Sequence, residues 1–215
     1  IYATRAVERL GWYEPVPEPS LRLLAACHLG PNDPLLDVGV GASTFIDQLL
    51  AAGFRRVIAA DISAVALQRL RERLGPKKAA RVQWIVDDVT APLELCRLRE
   101  VALWHDRAVF HFFTAEPQRR AYRDTLNAVL RPGGYVILAA FALGGANRCS
   151  GLDVSNYDAP LLANFLGREY ALLESFDYTY LMPAGDLRPY VYTLFQRRIA
   201  GWANGPVKRQ LDVHT

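Results

Sequence analysis

Three carboxylates and a pair of glycines carry most of the chemistry legible in this chain. Leu35-Leu36-Asp37-Val38-Gly39-Val40-Gly41-Ala42-Ser43-Thr44 leads an apolar strand through a glycine turn into a helix. Gly39 suits the tight turn, and Gly41 lets backbone approach a ligand with no side chain in the way. A turn placed there in a doubly wound sheet is where nucleotide-like ligands bind. Thr44 stands where a dinucleotide fingerprint needs its third glycine, and Asp37 is ill-suited to a pyrophosphate. A cationic, adenosine-bearing ligand without phosphate suits both. Ile58-Ala59-Ala60-Asp61 ends a second apolar run in an acid able to accept from both ribose hydroxyls. Trp84-Ile85-Val86-Asp87-Asp88-Val89 ends a third, where Asp88 can accept from an adenine amino group between the apolar walls Ile62 and Val89. Each acid alone reads equally as a helix cap or a solvated loop residue. Three at the ends of three consecutive strands point to one shared ligand.

The fourth run ends in Trp104-His105-Asp106-Arg107-Ala108-Val109-Phe110-His111-Phe112-Phe113. His105 and His111 are six residues apart and do not share a helical face. An imidazole with a pKa of about 6.5 can deprotonate a thiol or amine at neutral pH, but a histidine in such an apolar run is more often a hydrogen-bonded core residue than a base. Trp12-Tyr13 lies in a polar-flanked stretch and is a candidate contact to the ligand or substrate. Cys149, after the fifth run, reads mainly as packing.

These residues need elements to position them. Strands are expected at 34–38, 56–60, 82–86, 101–104 and 135–141, with helices at 44–52, from Ser63 to Gly75-Pro76, and at 116–130. That alternation predicts a parallel sheet with helices on both faces. After it come a short helix over 158–166 and two strand-like runs, 170–180 and 189–197, which predict an antiparallel hairpin. Residues 1–198 are expected to form one domain with 1–33 as an N-terminal cap, and 199–215 a tail. The 215 residues, 51% hydrophobic and 22% charged, suit one globular unit of roughly 100–200 residues. A net charge of +3 with no basic block gives little pull toward nucleic acid or anionic lipid. No apolar run approaches the ~20 residues of a membrane span, and no signal-peptide pattern stands at the start. Cys27, Cys96 and Cys149 form no C-x-x-C pair. They suggest neither a disulfide framework nor a metal site, so a reducing cytoplasm and no metal are expected.

Together these motifs resemble the class I S-adenosylmethionine-dependent methyltransferases, over roughly residues 21–197. The D-x-G-x-G turn is similar to the family's first motif, Asp61 to its ribose acid, Asp88-Val89 to its adenine motif, and Arg131-Pro132-Gly133-Gly134 to the turn before its fifth strand. The resemblance implies a Rossmann-like α/β fold: a seven-stranded, mostly parallel sheet with an antiparallel last strand. It implies S-adenosylmethionine as cofactor, held around Asp37, Gly39, Gly41, Ala42, Ser43, Asp61, Ile62, Asp88 and Val89. Ala42-Ser43 departs from the glycine or threonine of many members, a change the loop is expected to tolerate. Trp104-His105-Asp106-Arg107 resembles the Trp-Asp-Arg segment of thiopurine S-methyltransferases and related bacterial small-molecule enzymes. That implies Asp106 beside the methyl donor and Arg107 over the substrate, with His105 as a candidate base. Trp12, Tyr13 and His111 are candidate substrate contacts. The (Asn/Asp)-Pro-Pro-(Tyr/Phe) signature of nucleobase and glutamine-amide methyltransferases is missing, so neither is expected as substrate. The expected reaction is methyl transfer to a small-molecule nucleophile, a thiol or other soft acceptor, with release of S-adenosylhomocysteine. Seven-strand lysine methyltransferases carry a comparable acidic turn, and a protein lysine acceptor is the alternative, followed by a non-catalytic cofactor-binding subunit.

Overall fold

A strand buried on both faces must be apolar throughout rather than alternating, and Pro34–Val38 is buried at every position. The computed structural model describes residues 13–41, 43–182 and 185–199. It opens with helix α1 (Glu18–Ala25), followed by β1 (Pro34–Val38), α2 (Phe45–Ala51), β2 (Arg56–Asp61), α3 (Ala64–Ala79), β3 (Val82–Val86) and β4 (Val101–Arg107). Then come α4 (Glu116–Val129), β5 (Leu130–Phe141), a two-residue hairpin β6 (Arg148–Cys149) and β7 (Leu152–Asp153), α5 (Ala159–Leu166), β8 (Tyr170–Leu181) and β9 (Leu187–Arg197). The sheet runs β3-β2-β1-β4-β5-β9-β8. β9 lies antiparallel to both of its neighbours, which is the seven-stranded arrangement expected from the sequence. The chain winds outward from β1 to β3, then returns to β4 on the other side of β1. That reversal opens a crevice at the C-terminal ends of β1 and β4.

Two layers of helix bury the sheet. On one face Leu23, Phe45, Leu49, Leu67 and Leu70 pack against Leu35, Leu103 and Ile137; on the other, Tyr122, Leu126, Leu162 and Leu166 pack against Leu36, Trp104 and Leu138. Successive residues of β4 therefore face opposite layers, and this parity decides the site below.

Three elements differ from expectation. β4 extends to Arg107 because Asp37 and Val38 of β1 pair with His105 and Asp106, and Ala139 of β5 with Arg107. Arg131-Pro132-Gly133-Gly134 lies inside β5 as a bulge, where the pairing jumps from Val101–Leu130 to Leu103–Tyr135. Pro132 offers no N–H to a ladder and Gly133 takes φ 76°. Gly75, at φ 71°, kinks α3 rather than ending it. Among the described residues no helix is long and apolar enough to cross a membrane.

Candidate active site

The glycine turn is held by backbone and by one carboxylate. Gly39 sits at φ 65° with its N–H donated to the Ala60 carbonyl at 2.8 Å. A Cβ added there would stand 2.0 Å from Val109 Cγ2, so only glycine lets β1 turn against the β4 loop. Gly41 N–H donates to Asp61 Oδ2 at 2.9 Å, and Ser63 N–H to Asp61 Oδ1 at 2.8 Å. Ser63 Oγ in turn accepts from Ala66 N–H at the start of α3. Asp61 thus ties the turn to the helix after β2. Burial raises its pKa, against the lowering effect of these two hydrogen bonds.

At the end of β3 the two acids divide their work. Against a desolvation cost, the N–H groups of Leu95, Glu94, Leu93 and Asp88 draw the Asp87 pKa down, and Asp87 braces the loop that follows. Asp88 Oδ1 accepts from Thr90 N–H at 2.8 Å and from its hydroxyl at 2.7 Å. A cavity of about 440 Å³ runs from Asp61, Ile62, Asp88 and Val89 to Arg107, Val109, Phe112, Phe113 and Cys149. Its size is that of a small-molecule site.

Along β4, His105 and Arg107 face the α1 side, whereas Asp106 faces α4. His105 Nδ1 lies 2.6 Å from Asp37 Oδ1, Nε2 lies 2.9 Å from Ser20 Oγ on α1, and the ring stacks on Phe45 at 4.0 Å. Both ring nitrogens are engaged and the residue is 1% exposed. What His105 orients is Asp37, whose other oxygen is buried without a hydrogen-bond partner. Asp37 lines a small void of about 30 Å³ together with Glu14, Gly39, Ser43, Thr44 and Arg107. That room suffices for a water or an ammonium group, so the donor-poor carboxylate fits the charged amino-acid end of S-adenosylmethionine.

Asp106 does not lie in the cavity, contrary to expectation. Its carboxylate accepts from Tyr122 OH at 2.7 Å and from Val109 and Phe110 N–H at 2.9 and 3.3 Å. Complete burial raises its pKa to about 6 despite these bonds. It clamps the turn after β4, and that turn carries Ala108 at φ 68°. Arg107 does reach the cavity. Its Nη2 pairs with Glu14 Oε1 at 2.9 Å and its Nε donates to Tyr192 OH at 3.0 Å. The guanidinium lies 5.2 Å from the Tyr190 ring centroid. The segment carrying Glu14 is fastened on both sides: Thr44 Oγ1 donates to the Glu14 carbonyl at 2.9 Å, and Tyr180 OH donates to the Tyr13 carbonyl.

His111 also departs from expectation. It is fully buried against Phe112 and Phe141, does not line the cavity, and neither ring nitrogen has a hydrogen-bond partner. Burial, with Arg188 and Arg107 nearby, pushes its pKa down to about 3. Trp12 and Ala42 lie outside the described residues, as does the tail from 200 onward. Glu14, Ser20 and Tyr192 escaped sequence reading. Their partners stand 85 to 93 positions away, beyond any local pattern; parity along β4 was the signal that separates Arg107 from Asp106.

Residues 35–134 match the family model described as a methyltransferase domain. That stretch, just under half of the chain, is similar to a methyltransferase domain. Over 125 residues it is 26% identical to the EEF1A lysine methyltransferase 2 of Danio rerio, covering 56% of this chain. The chain thus spans about half (53%) of that curated relative. A structure solved for the conversion of a disulfide bond into a thioacetal group during echinomycin biosynthesis superposes with a TM-score of 0.70 at 18% identity, over 92% of this chain and 89% of that one. The Burkholderia thailandensis 1,6-didemethyltoxoflavin-N1-methyltransferase, solved with bound 1,6-didemethyltoxoflavin and S-adenosylhomocysteine, gives 0.64 at 22%, over 92% and 81%. At these identities the superpositions establish a shared fold.

Proposed function

We propose that this methyltransferase domain transfers the methyl group of S-adenosylmethionine to a small-molecule nucleophile, a thiol or other soft acceptor, by direct displacement, releasing S-adenosylhomocysteine. The observation that carries the reading is the far end of the 440 Å³ cavity. There Phe112, Phe113, Val109 and Leu152 form an apolar wall, and the charged residue lining it is Arg107. A protonated lysine would find no open carboxylate at that end, only the Arg107–Glu14 ion pair and the apolar wall, which suit a neutral acceptor. The thiol preference itself rests on the resemblance of Trp104-His105-Asp106-Arg107 to thiopurine S-methyltransferases.

The residues divide as follows. Asp61 would accept from the ribose, Asp88 from the adenine, and Asp37 would face the ammonium group of the cofactor, with Ile62 and Val89 against the ring. S-adenosylmethionine supplies a methyl carbon made electrophilic by its sulfonium leaving group. Arg107 and the phenylalanines would orient the acceptor, and apolar walls exclude water. Neither His105 nor His111 is placed to take a proton, because His105 is committed to Asp37 and Ser20 and His111 is sealed in the core. A thiol, with an ordinary pKa near 8.5, is already partly ionised, so positioning can supply much of the rate.

A second reading, protein lysine N-methylation, is favoured by the zebrafish relative. Release of S-adenosylhomocysteine, followed with thiols, aromatic amines and lysine peptides as acceptors, separates the two. Turnover with small acceptors alone supports the proposal; turnover confined to lysine peptides overturns it.

A further inference from the structure

At the edge of the sheet opposite the glycine turn lies a second concavity, of about 540 Å³. It crosses the starting ends of β3, β2, β1 and β4. Pro34, Val57, Ile58 and Val82 form its floor, and Arg55, Arg56, Arg81, Arg97 and Arg99 its rim. All five arginines are exposed, and among the described residues no carboxylate lines the groove. They are scattered over 45 positions of sequence, which is why no basic block is visible there. Strand order brings them together, within three inter-strand steps of about 4.8 Å, or roughly 14 Å.

Their charges are braced but scarcely neutralised. Arg81 donates to the carbonyls of Leu50 and Phe54, and Arg99 to those of Cys96 and Leu98. Arg97 pairs with Glu94 at 2.8 Å, with both side chains more than half exposed, and such a pair exchanges readily. Arg55 and Arg56 form no ion pair among the described residues. Guanidinium forks hold carboxylates in bidentate pairs, and five in a row concentrate positive potential that a net charge of +3 conceals.

We propose that this groove docks an extended acidic segment of a partner protein. A strand-like chain of four to five residues spans about 14 Å, and its side chains alternate between two faces. Alternate acidic side chains would meet the arginine rim, while intervening apolar ones would meet the floor. Among the described residues no aromatic side chain lines the groove to stack a nucleobase, and a nucleic-acid backbone has nothing for an apolar floor. The site is independent of the methyltransferase chemistry, which lies at the other ends of the strands.

The test is fluorescence anisotropy of the full chain with a short labelled peptide alternating Glu and Leu. Variants are Arg56→Glu with Arg97→Glu, the milder Arg56→Gln with Arg97→Gln, and Arg168→Glu as an exposed control elsewhere. The proposal expects saturable binding that weakens as salt rises. It expects a loss of about tenfold or more in the Glu pair, a smaller loss in the Gln pair, and none in the control. S-adenosylmethionine binding, measured on each protein, should not change, which also verifies that each variant folds. Absence of peptide binding, or equal loss in the control, overturns it. So does binding of a labelled single-stranded RNA through the same arginines without binding of the peptide.

Discussion

The contact between Gly39 and Val109 joins the glycine turn after β1 to the loop after β4, and its energy can be worked from the geometry. In Gly39→Ala the new Cβ must adopt φ 65°, at about 1–2 kcal/mol for a left-handed L-residue. It also starts 2.0 Å from Val109 Cγ2, whereas the Val109 Cβ itself is already at 3.4 Å. Val109 cannot simply withdraw, because its N–H is held by Asp106 at 2.9 Å. Overpacking of this kind costs about 1–3 kcal/mol, for a total of roughly 2–5 kcal/mol. In Val109→Ala the offending methyl is gone, so adding Gly39→Ala should cost only the backbone part. Urea unfolding of the four proteins of this double-mutant cycle should give a coupling energy of about 1–3 kcal/mol at an unchanged m-value. Additivity within about 0.5 kcal/mol would refute the contact as the reason for glycine at 39.

Two further outcomes follow from β4. His105→Gln should raise the Kd for S-adenosylmethionine at least tenfold while kcat at saturating cofactor changes little, because the residue orients Asp37. A general base would contribute about 10²–10⁴-fold, so a kcat loss of that size with unchanged Kd would contradict the assignment. Asp106 has a carboxyl raised from 3.8 to about 6 in the folded chain. The folded state therefore binds its proton more tightly than the unfolded state, and this residue's contribution to stability falls as pH rises from about 4 to 6. The span corresponds to about 3 kcal/mol. Asp106→Asn should flatten the urea midpoint across that window relative to wild type; parallel pH curves would show that Asp106 does not titrate there.

The strand-end lining of the 440 Å³ cavity was the most legible part of the candidate site. Asp61, Ile62, Asp88 and Val89 all sit where their strands end, and strand ends are readable from apolar runs and turns. Asp37 and Gly39 were readable for the same reason. Parity was the missing consideration at Asp106: adjacent residues of a strand face opposite layers, so Asp106 and Arg107 cannot both enter one cavity. The partners of His105 and Arg107 were hidden for a different reason. Ser20, Glu14 and Tyr192 come together only once α1 and β9 have packed on the sheet, and no local period encodes that. The bulge in β5 was read as a turn because Pro-Gly-Gly is the same signal in both settings. The arginine groove was invisible because strand order, not sequence adjacency, assembles it.

The crevice above β1, β2 and β3 is proposed to hold S-adenosylmethionine. Calorimetric titration with that cofactor, with NAD as the control, tests it in wild type and in Asp61→Ala. Expected are micromolar binding of S-adenosylmethionine, no binding of NAD, and a loss of at least tenfold, about 1.4 kcal/mol, in the variant. Binding of NAD, or of neither ligand, by the wild-type protein would contradict it.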